Sequence, residues 1–270
     1  MRLGISSFTY SWAIGVPHHL PQRRLGVIGL LDKALELGVR LIQVADNLPL
    51  DRVSSQELDA FRTRAAHHGI QIEVGTRGIA PNHLLRYLEL AQYFASPILR
   101  VVVDTADHHP DAEEIVATLR GVISKFEEAE VCLAIENHDR FKARTLADIV
   151  NRIGSQYVGI CLDTVNSFGA QEGPETVLEV LGPLTVNLHI KDFAVIRAKH
   201  NMGFTIEGRP AGQGQLDIPW LLQELNRMGR DVNAILELWT PPQERLEDTI
   251  ALEDTWARAS IAYLRSLITN

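Results

Sequence analysis

Four residues able to grip a cation stand at the ends of four apolar runs. Glu136 closes Leu133-Ala134-Ile135, Asp163 closes Gly159-Ile160-Cys161-Leu162, His189 follows Val186-Asn187-Leu188, and Glu237 follows Ile235-Leu236. Their separations are 27, 26 and 48 residues. Each of the first two suits one strand–helix repeat, and the third suits a repeat plus a long loop. Three carboxylates and an imidazole at one point would repel, and some would have to take up protons unless a cation sat among them. A divalent ion resolves this. The oxygen-rich set with one nitrogen suits Mn2+ or Mg2+, with Co2+ or Zn2+ also accommodated. A lone acid at a strand end more often caps a helix, but four in succession point to a shared site. Asp46 and Asp104 also end apolar runs, and spacing alone leaves them as rival ligands.

Lys191 comes two residues after His189, so strand alternation places both on one side. A cation there suits a substrate oxyanion, either a carboxylate or a developing enolate. Pairing with Asp192 or another loop acid is the structural alternative. His138 stands in the same relation to Glu136. Arg209 reads as a loop residue folding over the site, with Arg77 and Arg140 as further arginines near strand ends. Phe8, Trp12 and Trp239 are candidate pocket walls or core residues. The pairs His18-His19, His67-His68 and His108-His109 read as surface positions, because adjacent side chains diverge.

The elements that must carry these residues alternate along the chain. Strands are expected at 3–6, 39–45, 70–75, 98–103, 131–135, 157–162, 184–188 and 234–236, as continuous apolar runs of the kind buried on both faces. Helical periodicity follows at 25–37, 54–68, 81–94, 110–129, 146–153 and 174–181, with a helix after each of the last two strands. Gly38 and Gly69 end helices, and Pro81 begins one. Eight such units in 270 residues predict a (β/α)8 TIM barrel formed by one domain, 1–270. A doubly wound open sheet is disfavoured, since no Gly-rich phosphate fingerprint follows any strand. Residues 191–217 read as one long, functional connection.

Composition narrows the setting. The chain is 46% hydrophobic and 22% charged, and 26 basic against 34 acidic residues leave −8, which argues against nucleic acid or an anionic membrane as partner. Its two cysteines, Cys132 and Cys161, exclude a disulfide framework. No apolar stretch is long enough for a bilayer, and the first residues lack a secretory leader, so the expected location is cytoplasmic.

The stretches Ile135-Glu136-Asn137-His138, Leu162-Asp163-Thr164-Val165-Asn166, His189-Ile190-Lys191-Asp192, Gly212-Gln213-Gly214-Gln215-Leu216-Asp217 and Leu236-Glu237-Leu238 together resemble the sugar isomerase/epimerase superfamily, the xylose isomerase-like barrels. That superfamily includes inosose dehydratases and apurinic endonucleases. The resemblance implies that Glu136, Asp163, His189 and Glu237 hold one divalent ion and that the two glutamates also move protons. It further implies a small sugar or sugar acid as substrate, a dimer or tetramer as assembly, and a metal-stabilised enediolate as intermediate. Glu136, Glu237 and Lys191 are then the expected catalytic residues, and His138, Asn166, Arg209 and Arg77 the substrate-binding ones. Two departures count against a neutral ketohexose: Asn166 replaces a histidine usual in ketose 3-epimerases, and Lys142 stands near a usual glutamate. The endonuclease branch needs further histidines. The stretch from Met202 to Gly212 is similar to a narrower group, the 3-oxo-isoapionate decarboxylases. The leading expectation is therefore a sugar isomerase or epimerase, with a sugar-acid decarboxylase or an inosose-type dehydratase as alternatives. A sugar-binding barrel without catalysis is the alternative of another class.

Overall fold

In the computed structural model, which describes residues 1–268, eight parallel strands close into a barrel. The strands are β1 (Leu3–Ser6), β2 (Leu41–Val44), β3 (Gln71–Arg77), β4 (Ile98–Val102), β5 (Cys132–Glu136), β6 (Val158–Asp163), β7 (Thr185–Ile190), β8 (Asp192–Arg197), β9 (Phe204–Arg209) and β10 (Asn233–Leu236). All but β8 and β9 belong to the barrel, in the closed order β1-β10-β7-β6-β5-β4-β3-β2. The helices are α1 (Ser11–Ile14), α2 (Val27–Leu37), α3 (Ser55–His67), α4 (Pro81–Tyr93), α5 (Ala112–Ala129), α6 (Ala143–Ile153), α7 (Pro174–Leu181), α8 (Ile218–Arg227) and α9 (Leu246–Leu267).

Local signals explain where the helices begin and end. The side chains of Ser54, Asp111 and Asp217 accept backbone N–H groups three residues on, capping α3, α5 and α8. Pro81 and Pro174 open α4 and α7, where a missing N–H does no harm. Gly38 and Gly154 end α2 and α6 in the left-handed conformation that a side chain resists. The helices bury apolar stripes against the outside of the barrel in one core, from Leu30 and Leu31 of α2 to Ile261 and Leu264 of α9.

The segment expected as one loop is instead built around a hairpin. β8 and β9 pair antiparallel from Asp192↔Arg209 to Arg197↔Phe204. The alternation Phe193, Val195 and Phe204, Ile206 that carries this pairing is short and interrupted by charge, so it does not stand out in the sequence. Gly203 adopts φ +87° at the turn. The hairpin's base is tied down by Asp192. Its carboxylate accepts the backbone N–H groups of Phe193 (2.8 Å), Gly212 (2.9 Å), Gly214 (2.9 Å) and Leu216 (3.1 Å). Gly214 has no room for a side chain, because a Cβ would run into that carboxylate and the carbonyl of Phe193.

Candidate active site

The inside of the barrel is polar where the strands end. Glu136, Asp163, His189 and Glu237, at the C-terminal ends of β5, β6, β7 and β10, are all buried, and register places Asp163 beside His189. His189 Nδ1 lies 3.4 Å from Glu237 Oε1, 3.5 Å from Glu136 Oε2 and 3.8 Å from Asp163 Oδ2. The four residues anticipated from the strand ends thus converge.

Their partners differ in a way that bears on metal binding. Asp163 Oδ1 is taken by the N–H groups of Val165 (2.8 Å) and Asn166 (2.9 Å). Asp163 Oδ2 and Glu237 Oε2 meet the Lys191 ammonium, while Glu237 Oε1 and His189 Nδ1 have no hydrogen-bond partner among the described residues although fully buried. Buried polar atoms without partners are costly, and atoms aimed at one point, as these are, fit a bound cation. Ligand atoms from Asp163, His189 and Glu237 lie within 4.8 Å of one another. This donor set of hard oxygens with one imidazole fits a divalent ion. Glu136 is occupied differently: Asn166 Nδ2 donates to its Oε1 at 2.7 Å, and Arg100 Nε donates to its Oε2. Cys161 also approaches Glu136 and His189. Burial pushes its thiol well up, with the Glu136 charge adding to the effect, so it stays a neutral and poor ligand.

Two cations hold the acids together. Lys191 Nζ sits 2.8 Å from Asp163 Oδ2 and 2.9 Å from Glu237 Oε2. Burial opposes the ammonium charge, but the carboxylates of Asp163, Glu237 and Glu136 outweigh it and push the lysine up. Burial likewise opposes the Glu237 charge, yet His189, Lys191 and Arg100 hold that carboxyl down at about 2. Lys191 therefore pairs with the site acids rather than with Asp192. Arg100 of β4, buried with Glu136, also donates from Nη1 to Asp46 at 2.5 Å. Asp46 in turn takes Arg77 Nε at 3.0 Å. Asp104 is held by Arg140 at 2.5 and 3.1 Å. Both rival acids are thus engaged by arginines away from the orphaned atoms.

A cavity of about 650 Å3 opens onto this cluster. Lys191 and Asn166 both line it and touch the carboxylates, which links the cavity to the charged centre. His138 lines it too, beside Asp139 at 2.6 Å. Phe8, Trp12, Phe168 and Trp239 supply apolar walls. Trp12 Nε1 is fixed on the Thr240 carbonyl at 2.8 Å, and Trp239 Nε1 on the Asp192 carbonyl at 3.1 Å. Ile206, Glu207 and Gly208 bring the hairpin over the rim. Arg209 is turned to Glu207 and the Gly208 carbonyl and does not line this cavity. Arg77 lines a smaller neighbouring cavity with Asp46 and His83.

Residues missed from the sequence are the polar ones inside strands rather than at their ends: Gln43, Glu73, Arg100 and Asn187. Each interrupts an apolar run, as in Ile42-Gln43-Val44 and Leu99-Arg100-Val101. A buried strand tolerates such a residue only if its polar atoms are satisfied, and that is the signal that would have found them.

The Trp12 wall carries a titratable support. Glu253 of α9 accepts the backbone N–H groups of Trp12 (3.0 Å) and Ala13 (3.1 Å). Burial pushes its carboxyl up to about 8, the two donors pulling the other way without prevailing. The ordinary glutamate value is 4.5, so the folded protein retains a proton that the unfolded chain has released. Stability from this group is full below about pH 4.5 and declines as pH rises toward 8. Thermal scans between pH 5 and 8.5 should show the wild type losing ground to Glu253→Gln; parallel curves would mean that Glu253 stays ionised throughout.

Residues 31–267 match the xylose isomerase-like TIM barrel family, and the chain belongs to it. The 3-oxo-isoapionate decarboxylase of Pectobacterium atrosepticum is 38% identical over 266 residues, covering 98% of this chain and 95% of that protein. The structure of D-psicose 3-epimerase with D-tagatose, from Clostridium cellulolyticum H10, superposes with a TM-score of 0.74 at 16% identity, covering 99% of each chain. A xylose isomerase-like TIM barrel protein from Mycobacterium smegmatis, in complex with magnesium, gives 0.70 at 14% identity over 97% of each chain. At such identities the two structures speak for the fold. No helix among the described residues is long and apolar enough to cross a membrane.

Proposed function

We propose that this protein removes the carboxyl group of a 3-oxo sugar acid as carbon dioxide, assisted by a divalent cation, Mn2+ or Mg2+, held by Asp163, His189, Glu237 and Glu136. The observation that carries the reading is Lys191, a half-buried ammonium that touches two site carboxylates and also faces the cavity. The 38% identity to a decarboxylase over nearly the whole chain supports it.

A bound divalent ion would polarise the 3-oxo group and stabilise the negative charge that develops on its oxygen. Lys191 Nζ binds and orients the substrate carboxylate from the cavity floor. Phe8, Trp12, Phe168 and Trp239 exclude water around it, an environment that favours neutral carbon dioxide over a solvated carboxylate. Breaking the carbon–carbon bond releases carbon dioxide and leaves its electron pair in an enediolate. A proton from the Lys191 ammonium, which faces the cavity, then closes the reaction at carbon, and solvent restores it.

The epimerase reading asks more of the acids, since one group must take a proton from carbon and another must return it. Glu136 has both oxygens engaged by Arg100 and Asn166, and Glu237 is held far below neutrality. Decarboxylation requires neither as a base toward carbon. The test is carbon dioxide release from 3-oxo sugar acids by metal-stripped protein resupplied with Mn2+ or Mg2+, beside interconversion assays on neutral ketoses. Release from the acids, reduced at least about 100-fold in Lys191→Met, is the expected result. Interconversion of ketoses with the acids untouched would overturn the reading.

A further inference from the structure

Below the ligand cluster, the barrel interior holds a second buried polar group that the proposed reaction does not use. Glu73 of β3 accepts three amide N–H donors: Gln43 Nε2 (3.1 Å) and Asn187 Nδ2 (3.0 Å) on Oε2, and Asn233 Nδ2 (2.6 Å) on Oε1. Gln43 Nε2 donates a second time, to Asn187 Oδ1 at 3.0 Å. These contacts fix which way round the Gln43 amide lies. Turning it over would set its carbonyl against the Glu73 carboxylate and the Asn187 carbonyl. Its Oε1 is thus committed to the remaining neighbour, His189 Nε2, at 2.7 Å.

An acceptor facing Nε2 requires the ring to carry a proton there. We infer that Gln43, pinned by Glu73 and Asn187 and steadied by Asn233, is a positioning residue that keeps the His189 proton on Nε2 and presents a bare Nδ1 to the cation. This rests on the cation reading above and deepens it. Nδ1 is the ring atom that faces three carboxylates and makes no hydrogen bond. Only an unprotonated ring nitrogen can bind a metal, and the bond made by the other nitrogen decides which one is free. The cation site is therefore set from underneath, by residues of β2, β3, β7 and β10 that never reach the cavity.

The direct test is the His189 ring in Mg2+-loaded, 15N-histidine-labelled protein, read by long-range 1H–15N correlation and assigned against His189→Gln. The expected spectrum has the proton on Nε2. Gln43→Met should bind Mn2+ roughly 10- to 100-fold more weakly by calorimetric titration. Glu73→Gln leaves Gln43 in place but replaces its carboxyl anchor with an amide that can donate to a turned-over Gln43, so a His189 population protonated on Nδ1 should emerge. A wild-type ring protonated on Nδ1, or wild-type Mn2+ affinity in Gln43→Met, would overturn the inference while leaving the cation reading intact. Wild-type protein that binds no divalent ion would overturn both.

Discussion

Glu237→Gln is expected to fold and yet to lose decarboxylation by roughly two to four orders of magnitude. The substitution preserves size and one acceptor oxygen but removes a charge that the Lys191 ammonium and the Arg100 guanidinium are arranged around. In the wild type that charge is secure, because His189, Lys191 and Arg100 hold the carboxyl down at about 2 against the effect of burial. The variant loses one anionic ligand of a divalent ion and half of the pair that positions Lys191, which is left with Asp163 alone. Two measurements separate these losses: Mn2+ titration reports the ligand, and carbon dioxide release at saturating Mn2+ reports the rest. Undiminished turnover by the variant would remove Glu237 from the chemistry.

The largest effect on stability is expected at Arg100. Its side chain is 3% exposed and is shared between Glu136, 1% exposed, and Asp46, 17% exposed. Methionine fills similar space without charge, leaving Glu136 with only the neutral Asn166 as donor and Asp46 with Arg77 alone. Removing one partner of a buried ion pair costs about 3–5 kcal/mol, which in a chain of this size lowers Tm on the order of 10 °C. Lysine should recover only part of this, since its single ammonium cannot reproduce the separate Nε and Nη1 contacts that the planar guanidinium makes to Glu136 and Asp46. The deficit of Arg100→Met should shrink at acid pH, where the stranded Glu136 carboxyl can be neutralised by a proton. A Tm within a degree or two of the wild type, unchanged by pH, would show that the acids find other partners.

The barrel was legible from the sequence because parallel strands buried on both faces must be continuous apolar runs, and chemistry collects where such runs end. That rule located Glu136, Asp163, His189 and Glu237, and the geometry gathers them. It also raised Asp46 and Asp104, which do not gather around His189 and are held instead by Arg77 and Arg100 in the first case and Arg140 in the second. Those arginines lie one or more strands away, and no local pattern announces such a pairing. Arg100, Gln43, Glu73 and Asn187 escaped for a related reason: a polar residue inside a strand looks like a flaw until its partners across the barrel are known. Arg209 illustrates the opposite error. A glycine-rich loop over the mouth seemed to aim it inward, but the unrecognised β8–β9 pairing turns it to Glu207.

The Asp192 carboxylate, by collecting four backbone N–H groups at the root of the hairpin, separates two kinds of change. Above it, residues 195–206 contribute rim contacts to the cavity through Ile206 and end in an exposed tip at Met202 and Phe204. Below it lie the strands and the charge network. Lengthening, shortening or rewriting the tip is expected to alter what the cavity admits, while the four N–H groups on Asp192 keep the hairpin's root in place. A barrel built this way can change what its cavity admits by altering a dozen residues, with its charged floor left untouched.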